Sequence, residues 1–470
     1  MSLKIYNSFT RKKDEFVPIE KGRIKMYVCG PTVYGPPHVG HARSYVNFDV
    51  VRRYFEYLGN KVKYVQNITD VGHLIGDGDD GDDKILTQAK KENVDPFELA
   101  YRYETIYFDY MDKLNIKRPS ISARATGFIP EMIDMVQTII DKGFAYVTDQ
   151  GNVYFSVRKY REYGQLSGRK IENNLSGERI ELADDKEYPE DFALWKSAAG
   201  GHIMKWNSPW GVGYPGWHVE CSAISRKFLG KTFDIHGGGL DNIFPHHESE
   251  IAQSEVCNGC RFVNYFMHNN LITVNGTKMG KSLGNFITLE DLFAKFDPMV
   301  VRFFILQFHY RKPVDFSVEA IMQCKEQFEK ISAVMTAIKT ISAGEYAKEI
   351  KDESLKLVKS RFEEAMNDDF NTPVATAELL AFAKLASKIL TSNDKNLVLQ
   401  ANILIKMFED VLGFDFKCDT IKEETNNDDI LNLLSSIREK LRAEKNFAMS
   451  DYIRDEMTKL NINVSDKKIK

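Results

Sequence analysis

Arg23-Ile24-Lys25-Met26-Tyr27-Val28-Cys29, followed nine residues later by His38-Val39-Gly40-His41, decides the fold of this 470-residue chain. Alternating Ile24, Met26 and Val28 read as a buried strand. Beyond His41, apolar residues recur at Tyr45, Phe48, Val51, Phe55 and Leu58, a helical rhythm that closes at Gly59. Residues 61–66, with Val62, Tyr64 and Val65, read as the next strand. Strand, helix and strand make one parallel crossover, the opening of a doubly wound α/β sheet in which ligands collect at the carboxyl ends of strands. Cys29 and Thr69 belong at those ends. Two imidazoles at the crossover can donate to an anion, and the N–H groups of a helix start favour negative charge. His38 and His41 therefore mark a phosphate site. A second string, Lys278-Met279-Gly280-Lys281-Ser282, sets two ammonium groups three residues apart, where they can reach a polyphosphate as point charges.

In this order and separation the two strings resemble the HIGH and KMSKS signatures of class I aminoacyl-tRNA synthetases, with Gly280 where the usual motif has serine. A third set narrows the likeness: Cys29, Cys221 in Pro215-Gly216-Trp217-His218-Val219-Glu220-Cys221, and His246 and Glu250 in Pro245-His246-His247-Glu248-Ser249-Glu250. Pro245 suits a first helical position, so His246 and Glu250, four apart, share a helix face. Two sulfurs, one nitrogen and one oxygen suit zinc better than calcium or magnesium. This set resembles the zinc site of the cysteinyl-tRNA synthetase family, and the likeness runs from about residue 20 to about residue 460.

The resemblance implies that L-cysteine and ATP form cysteinyl adenylate and that the cysteinyl group passes to the 3′ end of tRNA(Cys). One Zn2+ per chain on Cys29, Cys221, His246 and Glu250 would select the thiol, with Mg2+ accompanying ATP. Such selection has a physical motive. Serine differs from cysteine by one atom, and a pocket judging shape alone separates such pairs by only roughly 10- to 200-fold. His38, His41, Lys278 and Lys281 are implied as catalytic and ATP-binding, Lys281 foremost on the departing pyrophosphate. Gly238 and Asp241 would complete the ATP site, Asp241 accepting from the ribose hydroxyls. Cys29, Thr69, Trp217 and His236 would surround the amino acid, Trp217 as an apolar floor and His236 orienting carboxylate or amine. Two alternatives share some of these residues: a cysteine:amino-sugar ligase of the mycothiol pathway, which lacks a distal anticodon-binding region, and a non-catalytic RNA-binding paralogue.

The implied architecture is a Rossmann-like nucleotide-binding domain (residues 1–119 and 206–270) split by an inserted connective domain (120–205). A stem-contact region carrying the lysine loop (271–317), a helical, tRNA-binding bundle (318–425) and a small anticodon-binding region (426–470) follow. A helix is expected over 130–142, a hairpin around Asp149-Gln150-Gly151-Asn152, and a strand ending in Gly237-Gly238-Gly239, where a flat ring or ribose can approach the backbone. Ile321, Phe328, Ile331, Met335 and Ile338 keep a heptad-like spacing. Residues 362–373 resemble the bundle signature of the family, and 447–455 its terminal helix; 419–429 reads as a linker, with helices over 430–442 and 448–460. Residues 465–470 lack the Gly-Thr-Trp-Arg type tail of many relatives, so anticodon contact is expected elsewhere.

Composition agrees. With 43% hydrophobic and 28% charged residues the chain reads as globular, and a net charge of −4 argues against indiscriminate nucleic-acid binding while leaving room for local patches. No apolar run reaches the roughly 20 residues needed to span a bilayer, and Met1-Ser2-Leu3-Lys4 has no secretory h-region, so a cytoplasmic protein is expected; the resemblance implies a monomer. Six irregularly spaced cysteines read as thiols and metal ligands. Cys257-Asn258-Gly259-Cys260 lacks a second pair and reads as cysteines around a turn. Residues 77–83 look like a calcium loop, yet Gly81 sits where a ligand belongs and Gln88 replaces the closing glutamate, so a solvated acidic loop is expected.

Overall fold

A computed structural model describes residues 2–75, 81–169, 185–198, 202–280, 283–416, 436–438, 440–442 and 446–459. A hairpin of β1 (Lys4–Asn7) and β2 (Lys12–Glu15) precedes the expected crossover, β3 (Arg23–Val28), α1 (Val39–Tyr57) and β4 (Lys61–Ile68). β3 and β4 are parallel. Ile24, Met26 and Val28 join a core with Val46, Val50 and Tyr54 of α1, whereas Tyr27 and Cys29 join another with Cys221, Ile224 and Ile251. The two-residue period of a strand thus determines the face on which the Cys29 thiol emerges.

Next come α2 (Lys84–Glu92), α3 (Pro96–Lys113) and β5 (Ile121–Arg124). Asp83, from the suspected calcium loop, caps α2 by accepting from the Ile85 and Leu86 N–H groups; residues 76–80 lie outside those described. α4 (Ile129–Asp141) leads to β6 (Ala145–Val147), β7 (Val153–Phe155), β8 (Phe192–Ser197), β9 (Trp206–Ser208) and β10 (Gly211–Pro215). These five strands form an antiparallel sheet in the order β6-β7-β8-β10-β9. A boundary at 205/206 therefore cuts this sheet, since β9 and β10 complete it. Strands so short, with Gly211 and Gly213 inside, carry no periodic signal, and only their pairing assigns them.

α5 (Trp217–Leu229), β11 (Phe233–Gly239), α6 (His246–Asn258) and β12 (Val263–Asn269) return to the main sheet, which is wholly parallel in the order β12-β11-β3-β4-β5. Strand order reverses between β3 and β11, and such a switch point opens a crevice at the carboxyl ends. The sequence Cys257–Cys260 spans the end of α6, where Gly259 takes φ 69° as the helix cap.

A small sheet of β13 (Ile272–Val274), β14 (Thr277–Lys278) and β15 (Val314–Phe316) brackets α7 (Leu289–Phe293) and α8 (Pro298–Leu306). The bundle is α9 (Val318–Ser342), α10 (Glu353–Asn367), α11 (Thr372–Ser392) and α12 (Lys395–Leu412), and the five heptad-spaced residues of α9 are buried. The chain divides into two compact units, 1–416 and 417–470. In the second, α13 (Phe447–Lys459) is described. The expected linker 419–429, most of 430–442 and the tail 460–470 lie outside the described residues. No helix among the described residues is long and apolar enough to cross a membrane.

Candidate active site

A cavity of about 380 Å³ occupies the switch point, and its wall includes Cys29, His38, His41, Thr69, Trp217, Cys221, Asp241 and His246. At the start of α1 the two histidines cap the helix with their own rings. His38 Nδ1 accepts from the Gly40 N–H (3.1 Å), and His41 Nδ1 accepts from the His38 N–H (3.3 Å). An imidazole that accepts at Nδ1 carries its proton on Nε2, so both rings present Nε2–H donors. The rings stack with centroids 3.8 Å apart. Gly40 makes this possible, because a Cβ there would stand 2.9 Å from two atoms of the His38 ring. The chain beyond the lysine loop is bound to the same spot: Val39 N donates to Ile287 O (3.2 Å) and Leu289 N to Pro37 O (2.9 Å). Phe286 meets His38 edge-on, and Met279 reaches the cavity wall. Lys278 ends β14, while Lys281 lies outside the described residues.

The four expected ligands converge. One donor atom each from Cys29, Cys221, His246 and Glu250 lies within 4.8 Å of the others, and all four residues are buried. Cys29 comes from the end of β3, Cys221 from α5, and His246 and Glu250 from successive turns of α6. His246 Nε2 is 3.1 Å from Glu250 Oε1, and its Nδ1 is 2.8 Å from His218 Nδ1. Burial pushes both thiols above their ordinary pKa, Cys221 the more strongly, and raises the Glu250 carboxyl. His246 and His247 are pushed well below theirs, again mainly by burial, and so remain neutral ligands or acceptors. Two thiols, a neutral imidazole and a carboxyl at this spacing fit a metal ion, which would hold the thiols as thiolates.

Two expected contacts are placed differently. His236 is wholly buried behind the ligands, its Nε2 2.8 Å from Glu250 Oε2, and it steadies that carboxylate instead of facing the cavity. Gly238 leaves room for protein: a Cβ there would meet His247 at 2.8 Å. Of Gly237, Gly238 and Gly239, it is Gly239 that lines the cavity, beside Asp241. Sequence reading also missed His247, 3.2 Å from Cys29 Sγ, and Glu220, whose Oε2 accepts from the Thr69 hydroxyl at 3.0 Å. Their only signal was adjacency to His246 and Cys221. Thr69 Oγ1 also accepts from Asn67 Nδ2 (2.9 Å), so its second lone pair is an acceptor. Trp217 stacks on His246 at 4.3 Å and on His73 at 3.9 Å, giving the wall an aromatic surface.

Comparison with known proteins shows the family and the fold. A family described as tRNA synthetases class I (C) catalytic domain matches residues 15–326, and a DALR domain matches residues 361–417. A cysteine–tRNA ligase of Chlorobium chlorochromatii is 47% identical over 479 residues, covering 100% of this chain and 98% of the relative. That of Chlorobaculum tepidum is 48% identical over 480 residues (99% and 97%), and one from Thermus thermophilus 43% over 476 (100% and 98%). Among solved structures, the methionyl-tRNA synthetase of Mycobacterium tuberculosis in complex with methionyl-adenylate shares the fold with TM-score 0.58 at 14% identity, covering 83% of this chain and 92% of that one. The LeuRS–tRNA–LeuAMS complex of Agrobacterium radiobacter K84 does so with TM-score 0.62 at 10% identity, covering 85% of each.

Proposed function

This chain belongs to the cysteine–tRNA ligase family of class I tRNA synthetases, and from that premise we infer that it activates L-cysteine with ATP and transfers the cysteinyl group to the 3′ end of tRNA(Cys). The observation that carries the reading is the convergence of Cys29, Cys221, His246 and Glu250 beside the cavity that His38 and His41 also line.

In the first step a carboxylate oxygen of cysteine bonds to the α-phosphorus of ATP as the bond to pyrophosphate breaks. His38 and His41 donate from Nε2 to the phosphate oxygens while that charge redistributes. Lys278 and Lys281 neutralise the departing pyrophosphate, and Mg2+ accompanies the nucleotide. Asp241 accepts from the ribose hydroxyls, beside Gly239. At the amino acid, the open lone pair of Thr69 takes the ammonium and Trp217 supplies the apolar surface. Zn2+ held by Cys29, Cys221, His246 and Glu250 would supply an affinity for the substrate thiolate that a serine hydroxyl cannot match. His236 and His247 keep the carboxylate and thiolate ligands aimed. In the second step a hydroxyl of the 3′-terminal ribose attacks the acyl carbon and AMP departs. The bundle and residues 426–470 are assigned to the tRNA, the antiparallel insertion to the connective domain, and the working form to a cytoplasmic monomer.

Cysteine-dependent exchange of pyrophosphate into ATP tests the reading, run beside serine with bound metal quantified. The expected result is exchange with cysteine alone, lost on zinc removal and restored by zinc, together with cysteine attachment to tRNA. Exchange without tRNA charging would move the reading to an amino-sugar ligase. Absence of exchange in folded, zinc-loaded protein would move it to a non-catalytic RNA-binding paralogue.

A further inference from the structure

Three of the four expected ligands each meet a side chain from outside the set. Glu250 Oε2 lies 2.8 Å from His236 Nε2, His246 Nδ1 lies 2.8 Å from His218 Nδ1, and Cys29 Sγ lies 3.2 Å from His247 Nε2. Cys221, a buried free thiol, has no such bond among the described residues. The same cluster holds the opposite deficit. Tyr27, two residues before Cys29 on β3, emerges on the same face of the strand and is buried with Cys29, Cys221 and Ile224. Its register partner on β11 is His236, and the two rings meet edge-on with centroids 5.3 Å apart. Tyr27 is wholly buried, yet its hydroxyl makes no hydrogen bond. Leaving a buried hydroxyl without a partner is costly, and a native structure that does so calls for a reason.

The chemistry of sulfur supplies one. A neutral thiol is a weak acceptor, whereas hydrogen bonds to an ionised acceptor are shorter and about twice as strong. Burial most of all, and then the charges of Cys221 and Cys29, push the Tyr27 phenol well above its ordinary pKa, so it keeps its hydrogen. We propose that Tyr27 is a positioning residue of the metal centre, its hydroxyl donating to the Cys221 thiolate that forms when Zn2+ binds and the thiol proton leaves to solvent. Such a bond fixes the direction of the sulfur lone pairs. It also draws electron density from the sulfur, leaving more positive charge on the ion for a further thiolate, that of the substrate. The assignment rests on the zinc set proposed above, which the wild-type arm below tests separately.

Tyr27→Phe removes the oxygen and keeps the ring against His236 and Phe233. The full-length protein is stripped of metal, titrated with Zn2+ against a chelator of known affinity, and separately loaded with Co2+, whose sulfur-to-metal charge-transfer band reports the thiolates. Tyr27→Phe should lose about 10- to 100-fold in zinc affinity, the range for an outer partner of a metal ligand, and its cobalt band should move to longer wavelength. The melting temperature of the metal-free variant should equal or exceed that of metal-free wild type, because the lost hydroxyl had no bond to break. Tyr45→Phe is the control: that hydroxyl donates to the Cys29 carbonyl at 3.2 Å, so its loss should lower the melting temperature and leave the cobalt band in place. Unchanged zinc affinity or an unmoved band in Tyr27→Phe, a lowered metal-free melting temperature in that variant, or an equal band shift in Tyr45→Phe would overturn the proposal. Wild-type protein that takes up neither ion would overturn the zinc set and this inference with it.

Discussion

A methyl group at position 40 would stand 2.9 Å from Cε1 and Nδ1 of His38, closer than packed atoms approach, so Gly40 is tied to the ring that caps its own helix. Gly40→Ala should turn His38 out of the cap. Its effect on cysteine-dependent pyrophosphate exchange should be on the order of 100-fold, the cost of misplacing a catalytic group by about an ångström, with bound zinc unchanged. Unaltered exchange would mean that His38 does not work from the capped position. Cys221 makes a different demand. Cys221→Ser should fold as wild type by circular dichroism yet lose zinc and cysteine affinity by more than the roughly 10- to 100-fold typical of an outer partner of a metal site. Full metal content with unchanged cysteine affinity would separate the thiol from substrate selection.

Among the elements, α1, α8 and the end of α12 are locked by one buried carboxylate. Asp49 Oδ2 accepts from Arg302 Nη2 at 2.5 Å and from Arg53 Nε at 2.7 Å, and Oδ1 accepts from Lys117 N at 2.9 Å. Arg302 in turn donates to the Leu412 carbonyl (2.6 Å) and the Leu114 carbonyl (2.8 Å). Burial alone would raise the Asp49 pKa, but Arg302 and Arg53 outweigh it and the carboxyl sits below its ordinary value. Asp49→Ala should cost about 3–5 kcal/mol in denaturant unfolding, because it leaves a guanidinium buried and unpaired. The lowered pKa has a pH consequence. The unfolded chain binds this proton more readily, so the stabilisation is present above roughly pH 3.9 and is lost as pH falls through the folded value. Wild-type stability should decline across that acid range, with a shallower slope in the variant. A second joint explains why residues 362–373 read as a motif. Asp369, at φ 64°, accepts from the Tyr6 N–H (2.8 Å), the Tyr310 hydroxyl (2.6 Å) and Arg311 Nε (2.7 Å), joining the N-terminal hairpin to the bundle.

At the scale of the molecule, the buried core of the first unit runs from Leu3 to Phe416, whose carbonyl accepts from the Thr336 hydroxyl at 2.7 Å. Every described residue of the cavity belongs to that unit. A protein ending at Phe416 should therefore keep cysteine-dependent pyrophosphate exchange while charging tRNA(Cys) poorly, as the tRNA-binding role proposed for residues 426–470 requires. Equal loss of both activities would show that the second unit is needed for activation itself.

The sequence by itself determined the β3-α1-β4 crossover and the helix bearing His246 and Glu250, and it named four donors, Cys29, Cys221, His246 and Glu250, that the fold brings together. Periods of two and 3.6 residues assign faces, and thiol, imidazole and carboxyl carry their chemistry wherever they meet. Cys29 could be placed at a strand end on the same reasoning. Only the tertiary structure decided what each face meets. It set His236 against Glu250 instead of substrate, filled the space at Gly238 with His247, and drew β9 and β10 into the inserted sheet. It also joined Thr69 to Glu220, 151 residues away, and Thr32 to His73 and Lys84. The reason is physical. A repeat along the chain reports which side of an element is covered, whereas the direction of a buried hydrogen bond depends on the particular donor or acceptor that the covering element brings.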